Sequence, residues 1–146
     1  MIIVKAEQSH LYQVTSLAMQ LWPDNIESEL RADFAEILDS STDIVYLANA
    51  EELSIGFIHM SLRHDYVEGS DSSPVGYVEG IYVDPAFRHT GISTRLLAAG
   101  EEWSRSMGCS QIASDTELDN QGSQEFHKKL GFEEANRIVA FIKNLS

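Results

Sequence analysis

A strand pattern, a glycine-bearing turn and a helix pattern follow one another without interruption over residues 74–108. PVGYVEGIYV is an apolar run rich in β-branched and aromatic residues, whereas TRLLAAGEEWSRSMG carries its apolar residues at helical spacing. The turn RHTGIS, residues 88–93, lies between them. A chain that passes this directly from strand to helix must pack the helix on a sheet, so the stretch predicts a layered α/β domain.

The other segments extend this pattern in both directions. Pro23 should end the first helix, because a proline disfavours helical geometry in the residue before it. The predicted elements in order are strand MIIVKA, helix HLYQVTSLAMQLW, a helix from Asn25 or Ser28 through Leu38, an antiparallel hairpin of DIVYLANA and ELSIGFIHMSLRHDY, strand PVGYVEGIYV, a helix to about Met107, strand CSQIASD, a helix over 120–130, and one or two closing strands in FEEANRIVAFIKNL. This order predicts a mixed α/β or α+β sheet with about four helices on its faces.

The charge of the chain limits its partners. Its 146 residues suit one domain, 1–146, and 10 Lys and Arg against 23 Asp and Glu give a formal net charge of −13. Such a field repels nucleic acid and anionic membranes, whose binding needs clustered basic residues, and it attracts cations. The alternative is that the acidity serves only solubility.

Neither a membrane anchor nor a metal centre is expected. No apolar run approaches the roughly 18 residues of a membrane span, and MIIVKAEQSH lacks the regions of a signal peptide, so we expect a cytoplasmic protein. Cys109 is the only cysteine and suits a small buried position, although a catalytic thiol is the alternative. The four histidines other than His127 show no metal-ligand spacing: His10, His59, His64 and His89.

The turn RHTGIS has the properties of a phosphate site. The first N–H groups of a helix lack intrahelical partners, and the helix dipole adds a partial positive charge there. Gly91 would let a ligand approach the backbone, and Arg88, His89 and Arg95 would add basic groups. The alternative is that Gly91 only relieves a steric conflict at the start of the helix.

This turn also carries a family resemblance. RHTGIS resembles the R-x-x-G-x-G/A signature of the GNAT acetyltransferase superfamily, with Ser93 at the last position, and Asn120, His127 and Gly131-Phe132 resemble its N-(x)6-Y-(x)3-G-F pattern, with His in place of Tyr. Further motifs are similar to those of the aminoglycoside 6'-N-acetyltransferases within this superfamily: LWP, LRHDYVEGSDSSPVG, VEGIYVDPAFR, ASDTELDN and HKKLGFEE.

The resemblance implies a fold and a coenzyme site. It implies a mostly antiparallel mixed sheet in which strands four and five splay apart and acetyl-CoA lies in the gap. Gly80 would sit at a bulge that turns backbone donors toward the thioester, or would merely accommodate packing in a crowded strand. The coenzyme contacts implied are Ile81, Tyr82 and Val83 for the pantetheine arm, Arg88, His89, Thr90, Gly91, Ile92 and Ser93 for the pyrophosphate, and Asn120.

The resemblance also assigns the reaction. Acetyl transfer needs a neutral amine, and Glu79 and Asp115 would bind the acceptor's ammonium and relay its proton, unless strand alternation turns either toward solvent. His127 would protonate the leaving thiolate or only shape the coenzyme channel. Trp22, Tyr66 and Asn136 lie where relatives contact the acceptor. Relatives can have an acidic residue at the position of Asn136, which is neutral here. A core role is the alternative for Trp22.

The resemblance implies a cationic aminoglycoside substrate and a homodimer paired through the C-terminal strands. Two other functions fit the same residues. The chain would acetylate another amine, such as a polyamine, a peptide N-terminus or a lysine, or it would be a non-catalytic sensor that binds acyl-CoA. The carboxylates Glu79 and Asp115 argue against the sensor.

Overall fold

The computed structural model describes residues 1–146 as five strands and four α-helices. The strands are β1 (Ile2–Lys5), β2 (Asp43–Ala50), β3 (Leu53–Arg63), β4 (Val75–Val83) and β5 (Ile112–Ala113). The helices are α1 (Leu11–Leu21), α2 (Glu27–Asp39), α3 (Ile92–Ser106) and α4 (Gln121–Lys129). Short 3₁₀ turns at Gln8–His10 and Pro85–Phe87 precede α1 and α3.

The strands form one mixed sheet in the order β1-β2-β3-β4-β5. The first three pairings are antiparallel, and β4 pairs with β5 in parallel. The predicted mixed, mostly antiparallel sheet is therefore confirmed, as is the hairpin between β2 and β3.

Helices cover both faces of the sheet. Val14 of α1 and Phe34 of α2 are buried against Phe57 of β3 in one core cluster. Leu96 of α3 is buried against Ile58 in a second cluster. Because Phe57 and Ile58 are neighbours in one strand, their side chains point to opposite faces, and the sheet is buried from both sides.

A bulge in β4 lies at the centre of the sheet. His59 pairs with Gly80 and Met60 pairs with Val78, so Glu79 has no partner in β3. Next to the bulge, a Cβ at Gly80 would lie 2.5 Å from Cη2 of Trp22. Gly80 therefore accommodates the Trp22 ring, and it also flanks the bulge, while the orientation of backbone donors toward a thioester stays a prediction.

The C-terminal part of the sheet differs from the sequence prediction. No strand forms in residues 133–146, so the predicted closing strands are wrong for the single chain. A strand needs a hydrogen-bonding neighbour, and this segment instead leaves Phe141 and Ile142 more than 90 % exposed. The fifth strand is also shorter than predicted, because only Ile112–Ala113 pair with β4. The third strand ends at Arg63, short of the predicted Tyr66.

Two further features concern the helices and the single cysteine. None of its helices combines the length and the apolar character needed to cross a membrane. Cys109 is buried, and burial raises the pKa of its thiol, which agrees with a small hydrophobic residue in the core.

Candidate active site

The parallel strands β4 and β5 part shortly after they meet. Only Gly76 with Ile112 and Tyr77 with Ala113 are paired, and the rest of β4 continues without a neighbour on that side. A cleft of about 870 Å³ lies beside this point. Its lining includes Arg63, Tyr66, Tyr77, Asp115, His127 and Asn136.

Glu79 is held by two donors from β3. The hydroxyl of Ser61 donates to Oε2 of Glu79 at 2.7 Å, and Nη2 of Arg63 contacts Oε1 at 3.0 Å and Oε2 at 2.9 Å. The Glu79 side chain is 27 % exposed. Glu79 does not line the cleft, whereas Arg63 does. The Arg63 side chain therefore contacts this carboxylate and also lines the cleft.

Tyr77 connects the second carboxylate to the same group. Its hydroxyl donates a hydrogen bond to Oδ2 of Asp115, and its ring lies 3.5 Å from Cζ of Arg63. Burial, and then the hydrogen bond and negative charge of Asp115, raise the pKa of Tyr77 far above its usual range. The phenol is therefore a neutral donor. The Arg63 guanidinium contacts Glu79 directly and is connected to Asp115 through Tyr77.

His127 has both ring nitrogens engaged. Nδ1 lies 2.7 Å from the carbonyl oxygen of Ser123, which can only accept, so Nδ1 carries a proton. Nε2 lies 2.8 Å from Oγ of Ser114, which donates to the neutral ring and accepts from the protonated one. Phe132 packs edge-on against the imidazole with the centroids 5.3 Å apart. This arrangement fixes the ring beside the cleft.

The turn before α3 has an unusual backbone. Gly91 is the N-cap of α3 with φ +84°, and His89 has φ +64°. Nε of Arg88 donates to the carbonyl oxygen of Val83 at 2.8 Å, which ties the turn to the end of β4. Arg95 instead contacts the carbonyl oxygen of Met1 at 3.3 Å, so the structure does not bring this predicted basic group to the turn.

Open space lies beside Gly91, because a Cβ built there would meet no atom within 4 Å. The turn and the unpaired edge of β4 together carry the residues predicted to contact the coenzyme: Ile81, Tyr82, Val83, Arg88, His89, Thr90, Gly91, Ile92 and Ser93. The edge of β4 that has no neighbouring strand, the start of α3 and the open space fit a ligand with amide groups and a phosphate.

Asn120 has a structural task at the start of α4. Its side-chain oxygen accepts a hydrogen bond from the backbone N–H of Ser123 at 3.0 Å, so it caps the helix. The sequence pattern marked this asparagine only as a coenzyme contact.

The predicted acceptor residues occupy different places. Tyr66 is 75 % exposed and lines the cleft, and Asn136 lines it while donating to Oε1 of Glu68 at 2.7 Å. Trp22 lies outside the cleft lining, packed edge-on against Phe57 with ring centroids 6.2 Å apart. The structure therefore groups Tyr66 and Asn136 with Asp115, and places Trp22 beside Gly80.

Four residues of the site were not identified from the sequence: Ser61, Arg63, Tyr77 and Ser114. Arg63 lies in the motif LRHDYVEGSDSSPVG and Ser114 directly precedes Asp115 in ASDTELDN, whereas Tyr77 falls between the motifs LRHDYVEGSDSSPVG and VEGIYVDPAFR. Alternation along β4 also puts Tyr77 and Glu79 on one face, which is the available signal for Tyr77.

Comparisons with known proteins agree with this geometry. Residues 11–132 match the profile described as the acetyltransferase (GNAT) family. The chain is 42 % identical over 143 residues to the aminoglycoside N(6')-acetyltransferase type 1 of Salmonella enteritidis, covering 98 % of this chain and 99 % of the relative. It is 38 % identical over 145 residues to the protein of that name from Serratia marcescens, covering 99 % of each.

Solved structures give the same result. AAC(6')-Iy in complex with the bisubstrate analog CoA-S-monomethyl-acetylneamine superimposes with a TM-score of 0.94 at 41 % identity, covering 99 % of this chain and 98 % of that one. The apo structure of AAC(6')-IG from Acinetobacter haemolyticus gives a TM-score of 0.96 at 34 % identity over the whole of both chains. The similarity therefore includes the strands that part, the turn before α3 and the cleft.

Proposed function

The chain belongs to the GNAT acetyltransferase family, and from this premise we propose that it transfers the acetyl group of acetyl-CoA to the 6'-amino group of aminoglycosides, giving resistance to these antibiotics. The observation that carries the proposal is similarity along the entire chain to aminoglycoside N(6')-acetyltransferases, one of them solved with a CoA–neamine bisubstrate analog. The acidic residues at the cleft support it, because an aminoglycoside carries several ammonium groups.

Acetyl-CoA would bind along β4 and at the start of α3. The open space at Gly91 and the unpaired N–H groups of the helix start suit its pyrophosphate, and the unpaired edge of β4 suits the amides of pantetheine. Asn120 would contact the coenzyme with its amide nitrogen, because its oxygen caps α4.

Glu79 and Asp115 would bind the ammonium and take its proton, directly or through water. The neutral amine then attacks the thioester carbonyl, the C–N bond forms and the C–S bond breaks, leaving the electron pair on sulfur, and the new amide nitrogen releases its second proton to water. Protonated His127 would return a proton to that thiolate, since in the neutral ring Nε2 has no proton to give. Tyr66 and Asn136 would contact the sugar rings from the rim of the cleft, and Trp22 would support Glu79 through Gly80.

The C-terminal segment supports a homodimer as part of the proposal. Its apolar side chains are exposed: Ile138, Val139, Phe141, Ile142 and Leu145. A second copy would cover them, because monomeric proteins rarely expose a contiguous apolar patch of this kind. Ile142→Asp should then convert the dimer to monomer in light scattering, whereas Leu53→Asp, at another exposed apolar position, should not. Wild-type monomer at micromolar concentration would contradict the dimer.

We also propose that the reaction takes place in the cytoplasm, where acetyl-CoA is available.

One comparison of acceptors tests the proposed function. Thiol release from acetyl-CoA should be fast with neamine and absent with its 6'-hydroxy counterpart, because only the amine is the proposed nucleophile. Acetylation of a polyamine or a lysine peptide in preference to neamine would support a different acceptor. Binding of acetyl-CoA without thiol release to any amine would support the sensor.

A further inference from the structure

The side chain of Arg63 occupies a site with the chemistry of a cation receptor. A carboxylate lies on one side of the guanidinium, with Nη2 at 3.0 Å and 2.9 Å from the two oxygens of Glu79. An aromatic face lies on another side, with Cζ 3.5 Å from the centroid of the Tyr77 ring. A carboxylate and an aromatic face together attract any ammonium or guanidinium group.

Arg63 also lies at the cleft, where it would compete with an incoming ammonium for Glu79. Arg63 and Tyr77 line the cleft and Glu79 does not. Ser61 donates to Oε2 of Glu79 at 2.7 Å and Arg63 contacts both oxygens, so these two residues occupy three of the roughly four lone-pair positions of the carboxylate. An ammonium that enters the cleft therefore competes with the guanidinium for this carboxylate.

We propose that Arg63 is a displaceable internal cation, which occupies the Glu79–Tyr77 subsite in the free enzyme and leaves it when an ammonium group of the acceptor binds. This inference rests on the proposed function, because it takes Glu79 as an acceptor contact. It identifies Arg63 as a residue that sets acceptor affinity, and Tyr77 as the aromatic wall of the ammonium subsite.

The position of Arg63 makes its displacement feasible. It is the last residue of β3, its side chain is 43 % exposed, and a half-exposed ion pair is weak in water. The carboxylate would keep its place during the exchange, because the Ser61 hydroxyl continues to hold it. A neutral group, such as a hydroxyl, gains too little from Glu79 to replace the guanidinium.

Arg63→Gln is the direct test, since it removes the competing cation and leaves Glu79 free for the acceptor. The KM for neamine should fall about two- to five-fold, the ratio that corresponds to an exposed ion pair. Arg63→Lys should stay near the wild-type KM, because the ammonium still competes. Lys128→Gln is the matched control, since Lys128 also lines the cleft and contacts Glu125 at 3.8 Å instead of Glu79.

A double-mutant cycle separates displacement from a general effect of charge. In the presence of CoA, calorimetry should show tighter neamine binding for Arg63→Gln in the wild-type background and no change in the Glu79→Gln background. A higher KM in Arg63→Gln would mean that Arg63 positions Glu79, and would overturn the proposal. An equal fall in Lys128→Gln, or a fall that persists without Glu79, would also overturn it. If wild-type enzyme does not acetylate neamine, the proposed function fails instead.

Discussion

The hydroxyl of Tyr77 donates to the carboxylate of Asp115, and this contact joins β4 to the residues after β5 at the point where the two strands part. Only two residue pairs join these strands. The side-chain contact therefore supports a short pairing at the edge of the cleft, and it fixes Asp115 with respect to Arg63 and Glu79.

Tyr77→Phe should lower stability and remove part of its dependence on pH. A hydrogen bond to a charged acceptor contributes about 1.5–3 kcal/mol, so urea unfolding at pH 7 should show a loss up to that size. The folded state raises the pKa of Tyr77, so the phenol's contribution is complete below its ordinary pKa and is lost as the pH rises through the raised value.

The difference in unfolding free energy between wild type and Tyr77→Phe should therefore be constant below about pH 10 and shrink above it. Tyr12→Phe is the control, because Tyr12 is 76 % exposed and makes no such contact. A difference that is independent of pH into the alkaline range would show that the Tyr77 hydroxyl has no special partner.

Gly91→Ala should weaken coenzyme binding beyond its effect on stability. Gly91 and Gly108 flank α3 with φ +84° and +89°, and neither has an atom within 4 Å of a built Cβ. Alanine should therefore cost each variant about 1–2 kcal/mol of folding stability through backbone strain. Only at Gly91 would the new methyl group occupy the proposed pyrophosphate site. Calorimetry with CoA should show weaker binding for Gly91→Ala and wild-type binding for Gly108→Ala, and equal affinities would reject the placement.

His127→Gln should lower kcat by about a hundredfold, the lower end of the range for a general acid, with little change in the affinity for CoA. Ser114→Ala should lower it less, because it removes the hydroxyl that contacts Nε2 and leaves the ring in place. Ser106→Ala is the control, because its hydroxyl donates to the carbonyl oxygen of Trp103 on α3. Weaker CoA binding at an unchanged kcat would mean that His127 only shapes the channel.

Local patterns in the sequence predict most of the fold. The helix ahead of Pro23 and the strand before RHTGIS follow from proline geometry and from hydrophobic spacing, which are properties of neighbouring residues. The closing strands were predicted wrongly for a related reason. RIVAFIKNL has the composition of a strand, but composition cannot supply the sheet edge that a strand pairs with.

The contacts of the candidate site are harder to predict from local sequence patterns. Glu79 and Asp115 were identified from motifs, whereas the pairing of Arg63 with Glu79 joins residues 16 positions apart and depends on the bulge in β4. A shift of one residue in register turns a side chain to the other face of the sheet, so this contact is fixed only once the strands are aligned.

Electrostatic attraction should govern acceptor binding more than coenzyme binding. The chain has a formal net charge of −13, and the acidic residues that line the cleft include Asp115, Glu68 and Glu134. Raising the salt concentration should therefore increase the KM for neamine, because exposed charges are screened beyond about 8–10 Å at physiological ionic strength. The KM for acetyl-CoA should change less, since the turn before α3 binds an anion at short range.

The two carboxylates of the site should contribute more to neamine turnover than those of the rim. Glu79→Gln and Asp115→Asn should each lower kcat as well as raise the KM for neamine, because each removes a group that binds the ammonium and takes its proton. Glu134→Gln, at the rim, should raise the KM alone, since it removes a negative charge that pairs with Arg137 at 2.6 Å and takes no part in the proposed proton transfer. If both site variants turn over neamine at the wild-type rate, or if the rim variant loses as much kcat, the carboxylates are not where the proton is transferred.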